Sequence, residues 1–237
     1  MAKMTPDELV EQLRAAYGAD LRSVVLYGSA AVGEHIPKRS DYNVLVIVDS
    51  LSVEQLRAAA AVARSWGEAG NPAPMTLTLN EWRGSADIFA MEYADILERH
   101  KILYGESPFD GIRVDPGDLR LQVEHEAMGK LLKLRQGVLA AGGDQKRLVE
   151  LLAASLSTIM VIFRAVIRLH GGVPAKDNLA VSQAVAGYTR VDAAPFERVV
   201  RHVRGEQTIT PADAGAVMAG YLGGMEALVA HLDRFGR

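Results

Sequence analysis

Ser23-Val24-Val25-Leu26-Tyr27-Gly28-Ser29-Ala30-Ala31-Val32-Gly33 runs through a polar loop, Glu34 to Arg39, into Ser40-Asp41-Tyr42-Asn43-Val44-Leu45-Val46-Ile47-Val48. The two β-branched runs, one ending in Gly-Ser and the next opening on Ser-Asp, read as consecutive strands joined by that loop. A glycine directly after a strand has no Cβ, so its backbone can bring N–H groups close to a phosphate. Ser29 adds a hydroxyl and is expected to cap the following turn, aiming a helix N-terminus at the same anion. Asp41 stands at the mouth of the second strand, and side chains two apart on a strand share a face, so positions 41 and 43 address one ion. Two carboxylates so placed would hold Mg²⁺ ions against a triphosphate and stabilise the attacking and leaving oxygens of an in-line displacement. The plainer reading makes Gly28-Ser29 a tight turn and Asp41 a strand cap.

Working outward, the N-terminal stretch reads as a helix over Pro6–Tyr17, with Thr5 as N-cap, Pro6 at the first helical position and Glu8 at capping-box spacing. The strand runs are Arg22–Tyr27 and Asn43–Val48; a helix over Val53–Glu68 leads through Gly70-Asn71-Pro72 and Pro74 to a third strand, Met75–Leu79. Ile88, Met91, Ala94 and Ile96 suggest a helix through His100, and Ile102-Leu103-Tyr104 a short last strand. Gly105–Gly117, with Pro108 and Pro116, reads as a boundary. After it the pattern is helical throughout: Leu119–Leu139, Gln145–Leu169, Asn178–Ala186, Ala193–Arg204 and Pro211–Phe235, the last capped by Thr210. The expected fold class is α+β, with a mixed sheet and helices over residues 1–110 followed by an all-α bundle of four or five helices over residues 118–237.

The strand, Gly28-Ser29, loop, Ser40-Asp41, strand order resembles the nucleotidyltransferase superfamily of DNA polymerase beta type, and Leu26-Tyr27-Gly28-Ser29-Ala30 followed by Ser40-Asp41 is similar to the aminoglycoside adenylyltransferases and small bacterial nucleotidyltransferases. The resemblance implies Gly28 and Ser29 as the phosphate-binding pair, with Asp41 and position 43 as metal positions and Mg²⁺ (or Mn²⁺) with a nucleoside triphosphate, ATP foremost, as cofactor. It implies transfer of a nucleoside monophosphate to a hydroxyl of a small molecule or protein. Lys38-Arg39-Ser40 beside Asp41 reads either as a further nucleotide-binding segment at the triphosphate tail or as an exposed polar loop.

Two departures stand against that activity. Asn43 occupies the second acidic position, and an amide oxygen brings a metal ligand without its negative charge. The third carboxylate of the family comes from the strand after the intervening helix, which here is Pro74-Met75-Thr76-Leu77-Thr78-Leu79, with Thr76 or Thr78 in the slot. Glu92, and less readily Glu81, could reach back as the base, so Asp41 and Glu92 are the catalytic candidates. His35 is a candidate proton shuttle, or an exposed loop histidine. The rival reading is a degenerate pseudoenzyme that senses nucleotide or binds a partner.

Composition sets bounds on the rest. The 237 residues are 49% hydrophobic, 23% charged and 6% aromatic with net charge −3, an ordinary globular composition without the basic field that draws a protein onto nucleic acid or anionic lipid. There is no cysteine, so disulfides, thiolate metal sites and thiol nucleophiles are excluded. No signal-peptide pattern opens the chain, and the cytoplasm is the expected compartment. Leu148–Leu169 has the length of a membrane span but is interrupted by Glu150, Arg164 and Arg168, so a bundle core helix is expected. Expected partners are a nucleotide and its acceptor, with no membrane, no strong nucleic-acid signal, and a homo-oligomer left open.

In the helical half, Arg164-Ala165-Val166-Ile167-Arg168-Leu169-His170 has the Arg-to-His offset of HEPN ribonucleases, with Ala165 where that motif has a polar residue, giving an RNase as a weaker alternative. Glu124, Glu126, Lys130, Lys133 and Arg135 read either as substrate contacts or as ion pairs of a solvated helix face, Glu126 with Lys130 among them. Gly220, Gly223 and Gly224 read as close helix packing.

Overall fold

The computed structural model describes residues 4–33 and 41–235. The chain forms two compact units, Met1–Val114 and Asp115–Arg237.

In the first unit, helix α1 (Pro6–Tyr17) starts as its sequence dictates: the Thr5 hydroxyl accepts from the Glu8 N–H at 3.2 Å, and Glu8 Oε2 accepts from the Thr5 N–H at 2.8 Å. Strands β1 (Leu21–Tyr27) and β2 (Asn43–Val48) pair antiparallel, with Leu26 opposite Val44 and Tyr27 opposite Asn43. Helix α2 (Val53–Glu68) returns the chain to β3 (Met75–Thr78), which lies parallel to β2. A short helix α3 (Leu79–Gly84) and α4 (Ala90–Glu98) precede β4 (His100–Gly105), antiparallel to β1 on its other edge. The sheet order is therefore β3-β2-β1-β4.

Strand alternation divides the core into two layers. Val24, Leu26, Val44, Val46 and Val48 pack on Leu9 and Leu13 of α1 and on Val62 and Trp66 of α2. Val25, Leu45 and Ile47 face the other way, onto Trp82 of α3 and Tyr93 and Ile96 of α4. That second layer is locked by the Trp82 and Tyr93 rings, stacked with centroids 4.0 Å apart, and the Tyr93 hydroxyl donates to the Trp82 carbonyl at 2.7 Å. The Trp82 indole N–H is satisfied by the Pro108 carbonyl at 2.8 Å. Burial pushes the Tyr93 phenol up to about 12. This lock fixes α4 over the sheet.

Several boundaries differ from the sequence reading. Helix α3 replaces the end of the expected third strand, because Thr78 caps it and Glu81 completes a capping box, accepting from the Thr78 N–H at 2.7 Å. Helix α4 stops at Glu98, two residues before the expected end, and β4 begins at His100. No regular helix follows Ser29, as described below.

The second unit holds α5 (Pro116–Ala141), α6 (Gln145–Leu169), α7 (Asn178–Tyr188), α8 (Ala194–Arg204) and α9 (Pro211–Leu232). Helix α6 contacts all four others. It is long and apolar enough to cross a membrane by length and composition, yet Leu152, Ile159, Ile162, Phe163 and Val166 are buried in the bundle, the pattern of a core helix. At Gly224 of α9 a Cβ would sit 2.5 Å from the Phe196 ring of α8, and at Gly220 one would sit 2.7 Å from Pro195, so these two glycines admit the close α8/α9 contact.

Candidate functional site

The end of β1 and the start of β2 bring the central residues of the motif together. Gly28 has φ +77° and ψ −150°, a conformation essentially confined to glycine. A Cβ there would lie 3.5 Å from Asn43 Nδ2, so the Asn43 amide stands beside the Gly28 backbone. Tyr27, opposite Asn43 in the pairing register, packs with the Trp82 and Tyr93 layer, placing Asn43 on the α4 side of the sheet. Between Asp41 and Asn43, Tyr42 turns the other way: its ring approaches Trp66 at 6.0 Å, and its N–H donates to Asn71 Oδ1 at 3.0 Å. Asp41 is exposed at the strand mouth.

The backbone donors are arranged differently from the sequence expectation. The Gly28 N–H is spent on the Arg99 carbonyl, at 3.0 Å. Ser29 does not cap a helix; it opens a single 3-10 turn, Ser29–Val32, for which Gly28 is the cap and Gly33 the left-handed stop. The Ala31 N–H closes that turn onto the Gly28 carbonyl at 3.2 Å, which makes Ser29 and Ala30 the residues whose N–H groups a turn start leaves for an outside acceptor.

The third strand presents apolar side chains to this face. Met75 pairs with Leu45 and Leu77 with Ile47, and all four belong to the α4-side layer. Thr76 and Thr78 are thus not in the third acidic slot: Thr76 donates to the Pro74 carbonyl at 3.3 Å, and Thr78 caps α3. Glu81 does reach back, but to Thr78, whose backbone and side-chain hydrogen bonds hold its carboxyl below the ordinary value.

Glu92 lies exposed in the first turn of α4, on the site's side of the sheet. Its charge, with that of Asp95, adds to burial in raising the Tyr27 phenol above its ordinary value. One turn on, Asp95 and Arg99 form a buried pair, Oδ2 to Nη1 3.9 Å, with side chains 10% and 8% exposed. Arg99 thereby joins the site twice, through this pair and through its carbonyl on Gly28. Tyr27, Asp95 and Arg99 escaped the sequence reading, although the i, i+3 and i, i+4 spacings from Glu92 to Asp95 and from Asp95 to Arg99 were visible. His35, Lys38, Arg39 and Ser40 lie outside the described residues.

By ligand type, Asp41 brings a carboxylate and Asn43 an amide oxygen, both of the kind that Mg²⁺ takes. A two-metal arrangement needs further acids, and β2 and β3 carry none. Among the described residues, no group of three or more His, Cys, Asp or Glu side chains is placed to hold a metal ion.

In the helical unit, Arg164 and His170 serve different junctions. Arg164 is buried and donates to Asn178 Oδ1 at 2.6 Å and to the Lys176 carbonyl at 3.3 Å, tying α6 to the start of α7. His170 stacks on Tyr188 and meets His231 of α9, Nε2 to Nε2 3.0 Å; burial lowers both imidazole pKa values. A buried arginine cannot face RNA, so this geometry gives the ribonuclease reading no support. Glu124 pairs with Arg120 at 3.1 Å and Arg135 with Glu226 at 2.8 Å, while Lys130 is depressed by burial first and by Lys133 second, with Glu126 opposing.

The architecture is a nucleotidyltransferase-type fold, α+β with a helical C-terminal part. The solved spectinomycin adenyltransferase AAD(9) from Enterococcus faecialis, crystallised with ATP and spectinomycin, superposes with TM-score 0.60 over 95% of this chain and 97% of its own, at 13% identity. That likeness is one of fold. A toxin-antitoxin structure with AMP-PNP aligns at TM-score 0.31 and 18% identity over 44% of this chain and 76% of its own, too low to bear on the argument. No family model and no curated protein sequence matches the chain.

Proposed function

We propose that this chain binds a nucleoside triphosphate, ATP by analogy with the adenyltransferase of like fold, as its complex with one Mg²⁺ or Mn²⁺ at the β1/β2 junction. Ser29 and its turn meet the phosphates, and Asp41 and Asn43 hold the cation, which supplies charge neutralisation at the phosphate oxygens. The carrying observation is the Asn43 amide beside Gly28 with Met75 and Leu77 on the neighbouring strand: a cradle that keeps the phosphate-approach geometry and lacks the acids a two-metal displacement uses. Nucleotide binding is therefore the primary function, in a sensing or partner-binding module.

The position of Glu92 favours a second reading, an active transferase. There the Glu92 carboxylate takes the proton of an acceptor hydroxyl, the acceptor oxygen bonds to the α-phosphorus, and the bond to the leaving pyrophosphate breaks.

Calorimetry with ATP, GTP, CTP and UTP in Mg²⁺ or Mn²⁺, beside transfer assays with labelled nucleotides, small hydroxyl acceptors and the protein itself, separates the two. Binding lost in Asp41→Ala without turnover in the native chain supports the first. Labelled product abolished by both Asp41→Ala and Glu92→Gln replaces it with the second. Binding unchanged in Asp41→Ala sinks the site.

A further inference from the structure

The strand register lays a row of polar side chains across the sheet beside the Gly28 turn. Tyr27 of β1 pairs with Asn43 of β2 on one edge and with His100 of β4 on the other. Side chains of paired residues leave a sheet on the same face. Packing agrees: Tyr27 belongs to the α4-side layer, and the His100 ring lies against Phe109 of that layer, 4.1 Å between centroids. With neighbouring strands about 4.8 Å apart, the row from Asn43 to His100 spans about 10 Å. Its β4 end is tied to the turn through Gly28, whose N–H donates to the carbonyl of Arg99, the residue before His100.

The two members on the β4 side are a matched acceptor and donor. His100 Nδ1 lies 2.8 Å from the Ile96 carbonyl oxygen. A carbonyl oxygen only accepts, so the neutral ring carries its proton on Nδ1 and presents the Nε2 lone pair as an acceptor. Tyr27 keeps its phenolic proton, because burial first, and then the charges of Glu92 and Asp95, raise its pKa above the ordinary value. Both residues are only half-buried, so a ligand reaches them. The opposite flank differs, since β3 brings Met75 and Leu77 to this face.

An acceptor beside a donor suits a pair of neighbouring hydroxyls, one donating to Nε2 and the other accepting from the phenol. An anion is a poor occupant, because the Nε2 lone pair faces it and the charges of Glu92 and Asp95 reach the same place. The neutral, hydroxyl-bearing part of a nucleotide is its ribose, one ester linkage from the α-phosphate. We propose that His100, through Nε2, and Tyr27, through its hydroxyl, hold the two ribose hydroxyls of the nucleotide whose phosphates lie at Ser29. This rests on the nucleotide-binding reading above and adds to it the selection of ribonucleotides over their deoxy counterparts.

Calorimetry with ATP and with dideoxy-ATP, which lacks both ribose hydroxyls, each in Mg²⁺, tests it. The native chain binds ATP at least about tenfold more tightly than dideoxy-ATP. In His100→Asn the amide still donates to the Ile96 carbonyl but has no counterpart of Nε2; Tyr27→Phe removes only the hydroxyl. Each lowers the preference to about threefold or less and leaves the dideoxy-ATP affinity and the melting temperature unchanged. A native chain that binds both nucleotides equally overturns the proposal and leaves the phosphate site standing. A chain that binds neither overturns the nucleotide reading itself, and this proposal with it. Variants that weaken ATP and dideoxy-ATP alike overturn it too, since the two side chains then serve packing alone.

Discussion

Strand β1 meets a glycine at each end with nearly the same backbone torsion, and the two glycines are there for different reasons. Gly28, after Tyr27, has φ +77°; Gly105, which closes β4 opposite Ser23, has φ +80°. A Cβ at Gly105 would lie 1.9 Å from the Arg22 carbonyl oxygen, so packing alone demands glycine. Among the described residues a Cβ at Gly28 would meet nothing nearer than Asn43 Nδ2 at 3.5 Å, so there the torsion, not packing, disfavours a side chain. The contrast separates a glycine demanded by packing from one demanded by torsion, and only the second leaves space for the ligand proposed above.

The largest expected effect tests the packing end. Gly105→Ala must move a backbone carbonyl as well as adopt a left-handed torsion, and its cost is expected at about 3 kcal/mol or more. A denaturant midpoint close to that of the native chain would break the comparison at its structural end. Gly28→Ala carries the torsional strain alone, about 1–3 kcal/mol. It is expected to remain folded by circular dichroism while losing nucleotide binding in calorimetry, and binding at native affinity would show that the open space serves no ligand.

The legibility of the two ends in the sequence follows from how local their causes are. The two strands and the turn at Gly28-Ser29 could be read because alternation and turn chemistry act within a few residues, and β2 starts at Asn43 as the sequence reading had it. The facing of β3 could not, because whether Thr76 or Met75 meets the site depends on the parallel register with β2, which pairs residues 30 positions apart. Thr78-Leu79-Asn80-Glu81 carried the capping-box signature of α3 in plain view, masked by the apolar alternation before it. The Asp95–Arg99 pair and the hydrogen bond from Gly28 to the Arg99 carbonyl are products of tertiary packing, with helical spacing their only trace. In the helical half, Arg164 and His170 had a suggestive spacing, but the burial that separates their roles belongs to the bundle.

Asn43→Asp sharpens the functional end at smaller expected cost. The side chain is only partly buried and the volume is conserved, so stability without metal is expected to fall by less than about 1 kcal/mol, chiefly through repulsion from Asp41. With Mg²⁺ present the added carboxylate recovers that loss, and the metal-dependent rise in melting temperature exceeds the native one. A variant whose melting curve ignores Mg²⁺ would remove positions 41 and 43 from any shared cation site.

The smallest expected effect belongs to a charged contact at the packing end. Arg22 Nε and Asp49 Oδ1 are 2.6 Å apart, with side chains 59% and 37% exposed. The carboxylate raises the Arg22 pKa through a hydrogen bond first and Coulomb attraction second, but solvent screens an exposed pair and its ordering costs side-chain entropy. Arg22→Ala is expected to leave the denaturant midpoint and nucleotide affinity unresolved from those of the native chain, and to respond to salt no differently. A clear loss of affinity would mean that the Gly105 end communicates with the Gly28 end along β1, and that the two glycines report on one site rather than on two separate constraints.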